Sequence, residues 1–497
     1  MQNARTSSVR RDVTRWHERM NDPCSPIALP QFRLLDEAQC ERIFRASLEV
    51  LRRTGVRLHC PEALDLLRDA GATVDDHNVA RIPPRIIEWA LTQVPSTVTL
   101  CHRGSDEAAL HLSEGRVYFG PGSDCLNYLD PRSHQIREFT VSDVVECIRL
   151  VDALPEIDFV MSMGHPRDSG VPNVFRHQFA LMLKHTAKPI VFVADSREDC
   201  DAIIEAAATV AGSIERLRVS PNLLLYAEPT SPLQHSRSAL EKLLCMAEHG
   251  LPITYSPAPM MGGTAPLSLA GGLVQSCAEV LSGLAIHQLK RAGAPFVFGS
   301  GLHPMDLRTA ISVYGAPEFQ LARVGVAEMG RYFGLPVWGY AGHSDSKAVD
   351  EQAAADAVVS VFTAFLTGTN LAHDVGYLES GLTTSPEMIV LTAEIIGMLD
   401  HIMSGISLDD ESLAVDVINR VGPGGNYLTD DHTIRNLGSQ WEPGLFDRER
   451  LAAWIREGRK HLRDRLRERT LSILDEHAPL RLPDQVEATI DEILLPR

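Results

Sequence analysis

Apolar residues recur in short runs along most of this chain, and each run leads into a loop rich in Gly, Pro, Ser and Asp. The runs are Val117–Phe119, Ile157–Met161, Ile190–Val193, Leu223–Tyr226, Ile253–Tyr255, Phe296–Phe298, Val337–Tyr340 and Leu371–His373. Longer amphipathic stretches usually follow, the strongest over Leu269–Arg291, Glu318–Phe333, Val349–Leu366 and Glu387–Met403. Parallel strands buried on both faces read as continuous apolar runs. Eight strand–loop units, most with a helix behind them, predict an α/β fold, a TIM (β/α)8 barrel. A doubly wound open sheet is the competing architecture, but no Gly-x-Gly-x-x-Gly follows a strand and opens a helix. The first unit fits least well, because Val117–Phe119 leads into a hairpin pattern instead of a helix.

The barrel is expected over residues 116–446. Before it, residues 1–25 read as a mobile polar tail and 26–115 as a helical and β extension, with helical spacing over 36–55 and strand-like text from Val98 to Tyr128. After it, 447–497 reads as a C-terminal helical segment. Its charged stretch 447–475 carries a thin apolar stripe and is expected to be one helix packed on the barrel wall.

With 44% hydrophobic and 23% charged residues, the 497-residue chain has the composition of a globular protein. Its net charge of −18 argues against a nucleic-acid partner, which needs basic patches. The nine cysteines are scattered without a Cys-x-x-Cys pair, so a reducing, cytoplasmic setting is expected. The N-terminus has no apolar signal core, and no apolar stretch free of charge approaches eighteen residues, so no membrane span is expected.

Barrels of this class build their sites from the loops after the strands. Those loops supply Asp124, His165, Asp168, Glu228, His303, Asp306, His343, Asp345, Asp374 and Glu379. Phe119, Tyr226, Tyr255, Trp338, Tyr340 and Tyr377 lie near the strand ends. A zinc site is disfavoured, since neither His-x-His nor His-Glu-x-x-His occurs and the cysteines are unpaired. Gly120–Asp124 and Gly422–Asn426 are Gly-rich without matching a phosphate loop, and Gly299-Ser300-Gly301 is too short for a nucleophile elbow. Spacing alone therefore reaches a barrel with an uncommitted polar mouth.

Longer motifs reach further. Residues 262–299 (GGTAPLSLAGGLVQSCAEVLSGLAIHQLKRAGAPFVFG), 314–319 (YGAPEF), 342–352 (GHSDSKAVDEQ), 379–381 (ESG), 421–436 (VGPGGNYLTDDHTIRN) and 441–448 (WEPGLFDR) resemble the trimethylamine methyltransferase family in consistent order. Asp430-Asp431 stands where the family tends to a His-rich stretch. The resemblance implies a TIM barrel that hands a substrate methyl to Co(I) of a separate corrinoid protein, and a chain that assembles as a homo-oligomer. Some archaeal members carry pyrrolysine. This chain has standard residues only, and Gly339–Lys347 is where its replacement is expected. It therefore resembles the non-pyrrolysine members, such as the glycine betaine methyltransferases.

That difference has a chemical meaning. A quaternary ammonium leaves as a neutral tertiary amine, so in-line displacement needs no general acid, and the protein must hold the cation and aim one methyl outward. The resemblance thus points to a quaternary amine, betaine-like, as methyl donor. His343 and Asp345 are the candidate catalytic residues. Phe119, Tyr226, Tyr255 and Tyr377 are the candidate cation-binding faces, with Glu228 or Asp345 for charge and His343, His373 or Arg308 for a donor carboxylate. No tightly bound cofactor and no metal are expected, and the corrinoid-ligand signature Asp-x-His-x-x-Gly is absent, so the cobalamin is expected on a partner. Two other readings stay open: a metal-dependent barrel methyltransferase or lyase, and a quaternary-amine binding protein without catalysis.

Overall fold

The computed structural model describes residues 31–495 apart from 114 and 169–172. The expected tail at 1–25 lies outside the described residues.

Seven short parallel strands form one curled sheet: β1 (Tyr118–Phe119), β2 (Ile190–Phe192), β3 (Leu223–Ala227), β4 (Ile253–Tyr255), β5 (Phe296–Gly299), β6 (Val337–Tyr340) and β7 (Leu371–His373). Their order is β1-β7-β6-β5-β4-β3-β2. The extended segment 157–161 closes the ring between the two edges. Asp158 N–H donates to Phe119 O at 2.7 Å, Val191 N–H donates to Val160 O at 2.9 Å, and Val160 bridges Ile190 in parallel. Lys188 staples this segment from below, its Nζ donating to the carbonyls of Val151, Leu154 and Ile157 at 2.7, 2.6 and 2.5 Å. All eight apolar runs thus become barrel staves.

Eight helices surround the ring: α1 (Val141–Ala153), α2 (Val174–His185), α3 (Arg197–Ala211), α4 (Arg237–His249), α5 (Leu269–Lys290), α6 (Pro317–Tyr332), α7 (Glu351–Thr367) and α8 (Pro386–Met403). The first unit is complete after all. A hairpin of Asn127–Leu129 and Ile136–Glu138 comes first, and α1 follows it. Capping is local and legible: Ser196 accepts from Asp199 N–H at the start of α3, and Asp350 accepts from Ala353 N–H at the start of α7. Helix α5 is long and apolar enough to resemble a membrane span by length and composition, but it carries Glu279, and 78% of its most apolar window is buried against the N-terminal helices and its neighbours. The expected single helix over 447–475 is two, Leu451–Arg456 and Leu462–Glu476, because Gly458 and Arg459 between them take positive φ.

Period-two alternation sorts each stave. Tyr118, Phe159, Leu224, Tyr226, Trp338 and Tyr340 pack together inside the barrel, whereas Phe119, Leu225, Tyr255 and Phe298 face the helices. One end of the lumen is plugged. The hairpin Val98–Cys101/Ala108–Leu112 packs Val98, Leu100, Leu110 and Leu112 into the interior cluster, and Cys101 N–H donates to Pro221 O just ahead of β3. Access is therefore left at the C-terminal ends of the strands.

Candidate active site

Strand ends deliver a ring of aromatic and acidic side chains to the open end of the lumen. From β6 come Trp338 and Tyr340, from β7 His373, and from β3 Tyr226. Their rings form one cluster, in which His373 and Trp338 are stacked and the other pairs tilted. His373 lies 4.5 Å from Trp338 and 4.1 Å from Tyr340, and Tyr226 lies 5.4 Å from Trp338, centroid to centroid. The next layer is Tyr314 and Phe319, stacked 4.9 Å apart, with Phe319 5.8 Å from Tyr340. The Arg323 guanidinium sits over Phe319 and Tyr340, at 4.6 and 4.8 Å, and donates to the carbonyls of Ser300 and Leu302. Its charge is committed to backbone and ring faces, and burial lowers its pKa to about 10.

Three carboxylates converge on this cluster. Glu228 accepts from the Tyr226 hydroxyl, and Asp124 accepts from the Ser123 hydroxyl. Asp374 Oδ1 lies 2.7 Å from His373 Nδ1. Glu228 and Asp124 keep accessible surface at the C-terminal ends of the strands, while the protein packed around them desolvates their carboxylates. Burial first, and then the charge of Asp124, raise Glu228 to about 7; burial and then Asp374 raise Asp124. The backbone is shaped for this convergence. Asp374 holds φ +77°, a conformation that Asp tolerates better than most residues. A Cβ on Gly122 would come within 2.3 Å of the Tyr377 hydroxyl and 2.5 Å of Asp374 Oδ1, so only glycine fits there.

Of the residues expected from sequence, Tyr226, Glu228, His373, Tyr377 and His343 are brought to this end. The Tyr377 hydroxyl accepts from Asp124 N–H at 2.9 Å and so fixes the loop bearing that carboxylate. His343 is buried against Tyr314 and Phe319, with both ring nitrogens lacking a hydrogen-bond partner, and burial lowers its pKa to about 4. A neutral imidazole follows.

Two expectations fail on geometry. Phe119 points out of the barrel and packs 4.9 Å from Phe365 of α7. Tyr255 also points outward, over Gly283 of α5, where its hydroxyl pairs with His235 Nδ1 at 2.8 Å. Both are wall residues, on the other phase of the alternation from Tyr118 and Thr254. Asp345 is a loop anchor, accepting from Tyr314 N–H, Gly315 N–H and the Ser380 hydroxyl at 2.7, 2.9 and 2.7 Å. It also lines a cavity of about 470 Å3 beside the mouth, with Met261, Met305, Asp306, Glu318 and Asp356. Asp430, which departs from the family pattern, pairs with Arg420 at 2.8 Å and caps the short helix Asp431–Arg435.

The sequence offers Asp124, Asp374, Trp338 and Tyr340 as mouth residues without giving them a role, and it singles out neither Tyr314 nor Arg323 as a site residue. Alternation along Val337–Tyr340 and Leu371–His373 was the available signal for the strand residues. Among the described residues, the group of Cys, His and acidic side chains with mutual metal-donor spacing is Asp201, Cys245 and His249, which lies on the outer helices α3 and α4.

Comparison with known proteins agrees with the family motifs. The chain is 33% identical over 455 residues to a trimethylamine methyltransferase of Desulfitobacterium hafniense, covering 91% of each chain. It is 29% identical to a glycine betaine methyltransferase of the same species, covering 94% of this chain and 98% of that one. It is 30% identical to a trimethylamine methyltransferase of Methanosarcina barkeri, covering 90% and 91%. Among solved structures, the monomethylamine methyltransferase of Methanosarcina barkeri superposes with a TM-score of 0.43 at 14% identity, over 90% of this chain and 88% of that one. The profile of the family described as trimethylamine methyltransferase matches residues 3–496, and the chain belongs to that family.

Proposed function

We propose that this chain moves a methyl group from a quaternary amine, betaine-like in class, to Co(I) of a corrinoid carried by a separate protein. One observation carries the reading: Glu228, Asp124 and Asp374 lie around the aromatic cluster Tyr226–Trp338–His373–Tyr340 at the end of the lumen opposite the plugging hairpin. Aromatic faces and desolvated carboxylates together favour a permanent cation over neutral amines. The names of the relatives, amine and betaine methyltransferases, support the same class.

In this reading the Tyr226 ring borders the methylated nitrogen, backed by Trp338, and Glu228 supplies the nearest counter-charge. The Tyr226 hydroxyl holds the Glu228 carboxylate in place. With the lumen plugged below, the donor methyl points outward, toward the C-terminal ends of the strands. The C–N bond breaks with its electron pair passing to nitrogen, and the cobalt(I) electron pair forms the Co–CH3 bond. A neutral tertiary amine leaves, so no side chain has to donate a proton. That suits a site whose buried His343 is neutral. The buried walls exclude water from the reacting carbon.

The test is anaerobic single turnover of cob(I)alamin with a panel of quaternary amines, betaines included. Methylcobalamin from one or more of them is the expected result. None from any member of the panel contradicts the proposal.

A further inference from the structure

Outside the barrel mouth, α3 and α4 pack side by side in the helical ring and bring together a sulfur, a nitrogen and an oxygen donor. Cys245 and His249 are one turn apart on α4 and so share a face. Asp201 projects from α3 between them. Cys245 Sγ lies 3.2 Å from Asp201 Oδ1, and His249 Nε2 lies 3.5 Å from the same oxygen. The three donor atoms all lie within 4.8 Å of one another. A tetrahedral zinc with bonds of about 2.0–2.3 Å sets its ligands about 3.3–3.8 Å apart. The two helices thus hold donors near the edges of such a tetrahedron already.

We infer that Asp201, Cys245 and His249 form a zinc site that ties α3 to α4, separate from the methyl-transfer site. Donor chemistry selects the ion: thiolate, imidazole and carboxylate together suit zinc better than the hard cations magnesium or calcium. A fourth ligand is at hand, because Cys200, the residue before Asp201, places its buried thiol beside that of Cys245. Asp201 also has the outer partner that metal-bound carboxylates usually have. Arg197 Nε lies 3.5 Å from its other oxygen, Oδ2, and leaves Oδ1 for the ion. The remaining charges nearby are paired among themselves: Glu248 takes Arg197 on one side and Lys290, at 2.6 Å, on the other. Binding exchanges the Cys245 thiol proton for the metal, so the proton is released to solvent.

The site is tested on the full-length protein by metal analysis after dialysis with zinc and then against metal-free buffer. Cobalt(II) substitution supplies an optical readout. About one zinc per chain is expected to remain, and the cobalt form should show thiolate charge-transfer absorption with tetrahedral ligand-field bands. Cys245→Ser and His249→Gln should each lower retained zinc at least about tenfold and abolish the charge-transfer band or shift it. His249 is only half-buried, so His249→Gln is the variant that decides if Cys245→Ser does not fold. Wild-type protein retaining less than about a tenth of an equivalent overturns the inference, as does undiminished zinc in His249→Gln.

Discussion

The imidazole of His373 stacks on the indole of Trp338, 4.5 Å between centroids and 30° between planes, with the Asp374 carboxylate 2.7 Å from its Nδ1. The indole Nε1–H and both imidazole nitrogens lack aligned hydrogen bonds although all are buried. Buried polar atoms in that condition are costly in a wall that serves packing alone, and they lie in the cluster against which we propose that the donor molecule binds. Trp338→Leu is therefore expected to raise KM for the amine more, relative to its effect on the melting temperature, than a core change of similar size such as Phe296→Ala. Steady-state kinetics beside thermal unfolding of both variants checks this.

Tyr226→Leu removes one ring face and the hydroxyl that holds Glu228. A lost cation–π contact of about 0.5–2 kcal/mol corresponds to a KM increase of about 2- to 30-fold. Tyr226→Phe retains the face, and its increase should fall at the low end. Initial-rate measurements on both variants separate the two contributions.

Glu228 gives the site its pH dependence. Its carboxyl ionises near pH 7 in the folded protein, above the ordinary glutamate value, because burial and Asp124 oppose the charge. The cation binds the ionised form, so affinity should rise as pH increases through about 7 and level off above it. The effect on stability has the opposite sign. Ionisation is harder in the folded state, so this group's contribution declines as pH rises from the ordinary glutamate range through about 7. Glu228→Gln should flatten both profiles, read by affinity and by melting temperature at several pH values.

Phe119 and Tyr255 should behave as structural residues. Tyr255→Phe leaves His235 Nδ1 without its partner in the barrel wall and should cost about 1–3 kcal/mol of stability with KM unchanged. Chemical denaturation and kinetics on one preparation distinguish this from a binding role, which would move KM first.

Much of the barrel was legible because buried parallel strands leave apolar runs, and Ile190–Phe192 or Leu223–Ala227 can hardly be read otherwise. Which side of a stave a residue faces was legible only as parity, and a short run hides its parity. Tyr118 and Phe119 are adjacent aromatics, and the lumen receives the first while α7 receives the second. Charge convergence was less visible still. Asp124 and Asp374 are 250 positions apart and meet because β1 and β7 are neighbours in the closed ring. Tyr314 and Arg323 come from the loop after β5 and from α6, whose role at the mouth follows from tertiary packing alone.

Recognition of a fixed positive charge at the barrel mouth is tested most directly by comparing a quaternary ammonium donor with its uncharged isostere, in which carbon replaces nitrogen. Calorimetric affinities should favour the cation by at least about tenfold, or ~1.4 kcal/mol, with the preference collapsing in Glu228→Gln. Equal binding of the two by the wild-type protein contradicts the assignment.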